Sequence, residues 1–269
     1  MSVTYPLGFR AGGIQAGLRT TPGLDLALIV NDGPADVVAG VFTTNRVCAA
    51  PVQWSRHATA DHKARAVIVN AAVANACTGI DGFADCDITF SRVDSDACMS
   101  TNDTVVAMAS GASGISLTGD ELTDALTELC AILARQLVAD AEGSHHDVKV
   151  TVTGAISTEA AVAVAREVTR SNLVKTTIAG NDPNWGRILA AIGCVPENVA
   201  PFDPDQVDVS INDIQICKAG GIGEDRNLVD MRPREVHIDI ELHAGDAEAA
   251  VWTNDLTHQY VEENSEYTS

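Results

Sequence analysis

The sequence predicts an α/β protein of mixed, largely antiparallel sheets with helices packed on them. Three observations carry that expectation. Short apolar runs separated by tight-turn clusters fill the first third of the chain. One long amphipathic pattern covers residues 118–141. Alternating segments with a hairpin signal recur from residue 147 onward; period two marks a strand and period 3.6 a helix.

Composition bounds the rest. A chain of 269 residues, 46% hydrophobic, can bury a sizeable core. No apolar run is long enough to span a bilayer, and residues 1–13 lack the apolar core of a signal peptide, so a cytoplasmic protein is expected. A formal charge of −20 argues against nucleic acid and anionic membranes, which need clustered Lys and Arg. It suits a cationic small-molecule substrate. Seven Cys, odd in number and without a C-x-x-C pair, read as reduced thiols. His145-His146 has no ligand array around it, so no metal is expected.

The elements follow in order. Residues 25–32 form an apolar run ended by Asn31-Asp32-Gly33-Pro34, and 37–43 follow as a second strand, which suggests a hairpin. Residues 65–70 are nearly continuously apolar, as in a strand covered on both faces. Residues 71–103 break every period. Order returns with a short strand at 104–108. The helix at 118–141 opens on a Thr118/Glu121 capping box. Leu122, Leu126, Leu129, Leu133 and Leu137 form its expected buried stripe, widened by Ala125 and Ile132.

That helix runs into Asp140-Ala141-Glu142-Gly143, acids where the dipole disfavours them by a few tenths to about 1 kcal/mol. Glu142 is therefore either a solvated acid or a group whose cost a bound ammonium offsets. Val148, Val150 and Val152 alternate with Lys149, Thr151 and Thr153, a strand with one wet face. Ser157 opens a second helix with Val162, Ala165 and Val168 inward, and residues 173–179 read as a strand.

The polar loop at 180–186 then feeds an apolar helical segment, with Ile188, Leu189 and Ile192 at helical spacing. Its residues Asn181, Asp182, Asn184 and Arg187 admit two readings. One is a loop at a helix N-terminus facing an anion or polarised carbonyl. The other is a turn in which Asn184 caps the helix and Trp185 packs on the core. Asn212-Asp213 joins strands at 207–211 and 214–217. Residues 236–242 alternate, His237 and His243 read as surface residues of a sheet edge and a turn, and 247–253 form a last strand. The polar tail from 254 would fray unless Trp252, Tyr260 and Tyr267 tie it down.

Several segments are similar to the ornithine acetyltransferases, bifunctional enzymes that move acetyl groups between N-acetylornithine and glutamate. G-F-R-A-G-G-I-Q-A-G-L-R from Gly8, N-D-G-P from Asn31, G-V-F-T-T-N-R-V from Gly40 and N-A-C-T-G from Asn75 resemble the family's N-terminal part. A-D-A-E-G from Ala139, G-N-D-P-N-W-G-R from Gly180, W-T-N-D-L-T-H from Trp252 and the E-N-S-x-Y ending from Glu263 resemble its β chain. The likeness divides the chain into an N-terminal block, 1–86, and a C-terminal block, 87–269. It implies a layered fold of the N-terminal nucleophile type, a homo-oligomer of cleaved halves, no cofactor, and amino-acid substrates: ornithine, glutamate and their N-acetyl forms. It places substrate contacts on Glu142, Asn264 and Ser269, the last standing where a Thr is more usual.

Two of the family's motifs are not in this sequence. One is the K-G-x-G-M…A-T-M-L segment, whose Thr becomes the nucleophile after self-cleavage. The other is S-T-G-x-I-G, which supplies oxyanion donors. An internal deletion, an uncut chain and impaired or absent transfer are expected. The alternative is a non-catalytic remnant that still binds ornithine or acetylglutamate.

Overall fold

The computed structural model describes residues 2–17, 22–70, 92–95 and 100–266. The described residues up to 70, with 100–127, form one compact unit; 92–95 and 128–266 form another. Most of the irregular stretch at 71–103 lies outside the described residues, as do Tyr267 and Ser269.

In the first unit β1 (Phe9–Ile14), β2 (Leu26–Asn31) and β4 (Ala66–Asn70) form an antiparallel sheet in the order β1-β2-β4. β3 (Val37–Phe42) pairs with β5 (Thr104–Ala109) as a separate two-stranded sheet. The hairpin expected across residues 25–43 is therefore not made. The turn between the two strands is present, and Asn31 fixes it: its side chain accepts from the Gly33 N–H and donates to the Ala35 carbonyl, both at 3.0 Å. The strands it joins enter different sheets, so turn chemistry correctly marked a break without identifying the partners.

β4 also departs from expectation. It is an edge strand, and Ile68 and Val69 are 71% and 51% exposed instead of covered. The helix α1 (Ala50–Ala58), which the apolar-period reading did not register, packs on β3. Its sequence signal was Pro51 in the first turn, a position where Pro is tolerated.

α2 (Gly119–Ala139) begins at the predicted cap. The Thr118 hydroxyl accepts from the Glu121 N–H, and the Glu121 carboxylate accepts from the Thr118 N–H at 2.8 Å. Those Thr118 bonds hold the Glu121 carboxyl below its ordinary pKa. The buried face is not the leucine stripe. Cys130, Ala134 and Val138 are buried, whereas Leu122 and Leu137 are 48% and 58% exposed.

The second unit is built on a six-stranded sheet ordered β11-β6-β10-β7-β8-β9. Its strands are β6 (Asp147–Ala155), β7 (Asp208–Ile211), β8 (Ile214–Lys218), β9 (Gly221–Ile222), β10 (Glu235–Glu241) and β11 (Ala247–Asn254). β6 and β10 are parallel and the other pairings antiparallel. α3 (Thr158–Arg170), capped by Ser157, packs across β6 and β11. α4 (Asn172–Ala179) and α5 (Trp185–Ile192) pack on α3. Val148, Val150 and Val152 meet Ala161, Val164 and Val168 in one core. Val162, expected inward, is only half-buried at its rim.

Residues 173–179 are helical, not extended. Ser171 caps α4 by accepting from the Val174 N–H, and Val174, Thr177 and Ile178 recur at helical spacing on the buried side. The β-branched run that suggested a strand is accommodated because the Thr176 and Thr177 hydroxyls donate to the Leu173 and Val174 carbonyls. The Asn212-Asp213 turn is as expected, with φ of 47° and 66°. β10 lies inside the sheet, so His237 is an exposed side chain on an internal strand and not an edge residue. The tail does not fray through the described residues: it forms α6 (His258–Glu266).

Candidate functional site

Glu142 sits just after α2, in the turn that leads to β6. Asn264 hangs from α6. The chain brings them together: the Asn264 amide donates to the Glu142 carboxylate at 2.7 Å, across 122 positions, and to the Tyr260 carbonyl at 3.0 Å. Both side chains lie at the surface. A carboxylate beside an amide can hold an ammonium and a carboxyl group of one amino acid. Ser269, the third predicted contact, lies outside the described residues.

The turn carrying Glu142 is held from below. Asp255, fully buried after β11, accepts from the His145 N–H at 2.9 Å, the His146 N–H at 3.1 Å and the His146 ring Nδ1 at 2.7 Å. The Thr257 hydroxyl donates to the Gly143 carbonyl at 2.7 Å and accepts from the Tyr260 N–H at 3.1 Å, so it also caps α6. Gly143 has φ of +59°, and a Cβ there would overlap the Tyr260 nitrogen. No cluster of His, Cys, Asp or Glu suited to a metal ion occurs among the described residues.

A pocket of about 140 Å³ shares Asp255 and Tyr260 with this corner and is otherwise lined by Arg170, Lys175 and Asn254 among others. Lys175 is buried on α4, where its ammonium donates to the Thr253 hydroxyl at 3.0 Å and the Asn254 amide oxygen at 3.3 Å. Arg170 pairs with buried Asp94 at 2.7 Å. None of these groups was singled out from the sequence. A lysine inside an apolar helix and the acid in W-T-N-D-L-T-H were the available signals.

The residues of the 180–186 loop and its helix turn to one another. Asn184 caps α5 by accepting from the Arg187 N–H at 3.2 Å, and Trp185 packs against the core. Asp182 accepts from Asn184 and pairs with Arg226. Arg187 donates to the Leu173 carbonyl at 2.9 Å. Asn181 is exposed with φ of +51°. These bonds make the turn-and-cap arrangement, the second of the two readings.

Comparison with known proteins adds the following. The ArgJ family model matches residues 10–89 and 84–269. The arginine biosynthesis bifunctional protein ArgJ of Bifidobacterium longum is 40% identical over 391 aligned residues, covering 100% of both chains. That of Thermobifida fusca is 36% identical over 386, again covering 100% of both. Both aligned lengths exceed the 269 residues of this chain. The crystal structure of the ArgJ protein of Bacillus halodurans superposes with a TM-score of 0.61 at 35% identity, covering 66% of this chain and 87% of that one. The layered α/β fold expected from the sequence is thus shared with a solved relative.

Proposed function

The chain belongs to the ArgJ family, and from that premise we propose that Glu142 and Asn264 hold an ornithine-class amino acid, with acetyl transfer between N-acetylornithine and glutamate as the reaction the site serves. The observation that carries this reading is the Glu142–Asn264 contact at 2.7 Å. In the proposed complex Glu142 pairs with a ligand ammonium, while Asn264 and the Ser269 hydroxyl hold the carboxylate. The loop around Asn184 supports α4 and α5 through its own bonds.

Transfer itself is proposed to be impaired or absent. The family's nucleophile and oxyanion motifs are not in the sequence, and losing both costs several powers of ten in rate. Two observations support an internal gap: the family match breaks at residues 84–89, and the relatives align over more positions than this chain has. The blocks 1–86 and 87–269 are then the two sides of that gap. With the nucleophile absent, the non-catalytic amino-acid binder is the reading those observations favour. The family resemblance also carries the expectation of a homo-oligomer with no cofactor, and the sequence composition that of a cytoplasmic protein. No described helix is long and apolar enough to cross a membrane.

The test uses purified chain whose intact mass is confirmed at 28.1 kDa. Acetyl transfer from N-acetylornithine to glutamate is measured beside ornithine binding by calorimetry. Binding without turnover is the expected result. Turnover from the uncut chain would point to a substitute nucleophile, and neither binding nor turnover would overturn the assignment of the site.

A further inference from the structure

The Glu142–Asn264 contact joins two exposed side chains on separate segments, and an isolated surface pair of this kind would be loose. What distinguishes it is the corner beneath. The turn carrying Glu142 and the helix carrying Asn264 meet at Thr257, whose single hydroxyl makes two bonds of different purpose. As an acceptor it satisfies the Tyr260 N–H and starts α6. As a donor it grips the carbonyl of Gly143, the residue that follows Glu142. Gly143 lies so close to the first turn of α6 that no side chain fits between them. Asp255 fixes the far side of the same turn through the His145 and His146 N–H groups and the His146 ring.

We propose that Thr257 is a positioning residue: its bond to the Gly143 carbonyl sets the separation of Glu142 and Asn264, and with it the fit of the amino-acid ligand. The inference rests on the ornithine reading of that pair. Asp255 shares the task by preventing the turn from rotating about the Thr257 contact. A ligand spanning a carboxylate and an amide is sensitive to such a separation, because both ends must be met at hydrogen-bond distance at once.

The two functions of the hydroxyl can be separated. Thr257→Ser keeps donor and acceptor. Thr257→Asp keeps a good helix cap but cannot donate to the Gly143 carbonyl, and Thr257→Gly, a tolerated cap with no side-chain donor, is used should the Asp variant fail to fold. Two readouts are taken on the intact chain. The first is ornithine affinity by calorimetry. The second needs no ligand: the Asn264 side-chain amide resonance, assigned by its loss in Asn264→Ala, and its response to Glu142→Gln.

In the parent and in Thr257→Ser the resonance shifts when Glu142 is changed. In Thr257→Asp the expected result is a chain that is still folded at the assay temperature though it melts lower than the parent, because the bond from buried Thr257 to Gly143 is lost, with no shift of that resonance and ornithine affinity reduced about tenfold. A Thr257→Asp chain that keeps both the shift and the parent affinity overturns the proposal. A parent that binds no ornithine overturns the ligand reading alone; the resonance then decides the positioning role, which stands if the shift is lost in Thr257→Asp and falls if it persists.

Discussion

Glu142→Gln keeps the size of the side chain and removes its charge, so it isolates the ammonium contact. A hydrogen bond to a charged group contributes about 1.5–3 kcal/mol, and the variant should lose roughly tenfold or more in ornithine affinity by calorimetry while melting as the parent does. Asp208 offers a pH test. Burial opposes its ionisation, but the Ala219 N–H, His243 and Lys218 outweigh burial and hold the carboxyl below its usual range. A depressed folded-state pKa means stability that is complete above the unfolded value near 4 and lost as pH falls through the lower folded value. Urea midpoints measured from pH 5 downward should therefore fall less steeply in Asp208→Asn than in the parent. Among the cysteines, burial and the nearby Asp208 charge push the Cys217 thiol up, while Cys194 is exposed. Alkylation followed by peptide mapping should label Cys194 well before Cys217.

Among the elements, those announced by local chemistry were legible in the sequence and those decided by neighbours were not. The Thr118/Glu121 box and the Ser157 and Asn184 caps rest on side chains that bond nearby backbone, and the Asn212-Asp213 turn on two residue types that tolerate positive φ, so a short window suffices. Residues 173–179 show the other case. The run V-K-T-T-I favours a strand by propensity, yet Ser171 and the buried spacing of Val174 and Ile178 make it α4. Ser171→Ala should therefore destabilise the chain by about 1 kcal/mol in urea unfolding. The buried face of α2 was misjudged because hydrophobicity marks which residues could be inside, whereas the face actually covered carries Cys130, Ala134 and Val138. The candidate site divides the same way. Glu142 stood out locally as an acid at a helix C-terminus, but its meeting with Asn264 is a property of the fold and was reachable only through family resemblance. Asp255 and Thr257 hold the turn after Glu142 through partners more than a hundred positions away, which no local pattern reports.

For the whole molecule, the exposed leucines of α2 and the uncovered Ile68 and Val69 of β4 are apolar surface of the kind that drives association. The parent should bind a hydrophobic dye and self-associate with rising concentration in light scattering. Leu137→Lys should lessen both without lowering the melting temperature, since Leu137 is not part of the buried face of its helix. A different consequence follows from the position of β6. Its two neighbours in the sheet, β10 and β11, both come late in the chain, with Thr153 meeting Glu241 across 88 positions. During synthesis β6 leaves the ribosome as an apolar strand whose partners do not yet exist. The sheet closes only once nearly the whole polypeptide has been made, which slows folding and lengthens the interval in which nascent chains can capture one another. Yield in a cell is then governed by translation speed and chaperone supply as much as by the stability of the finished fold.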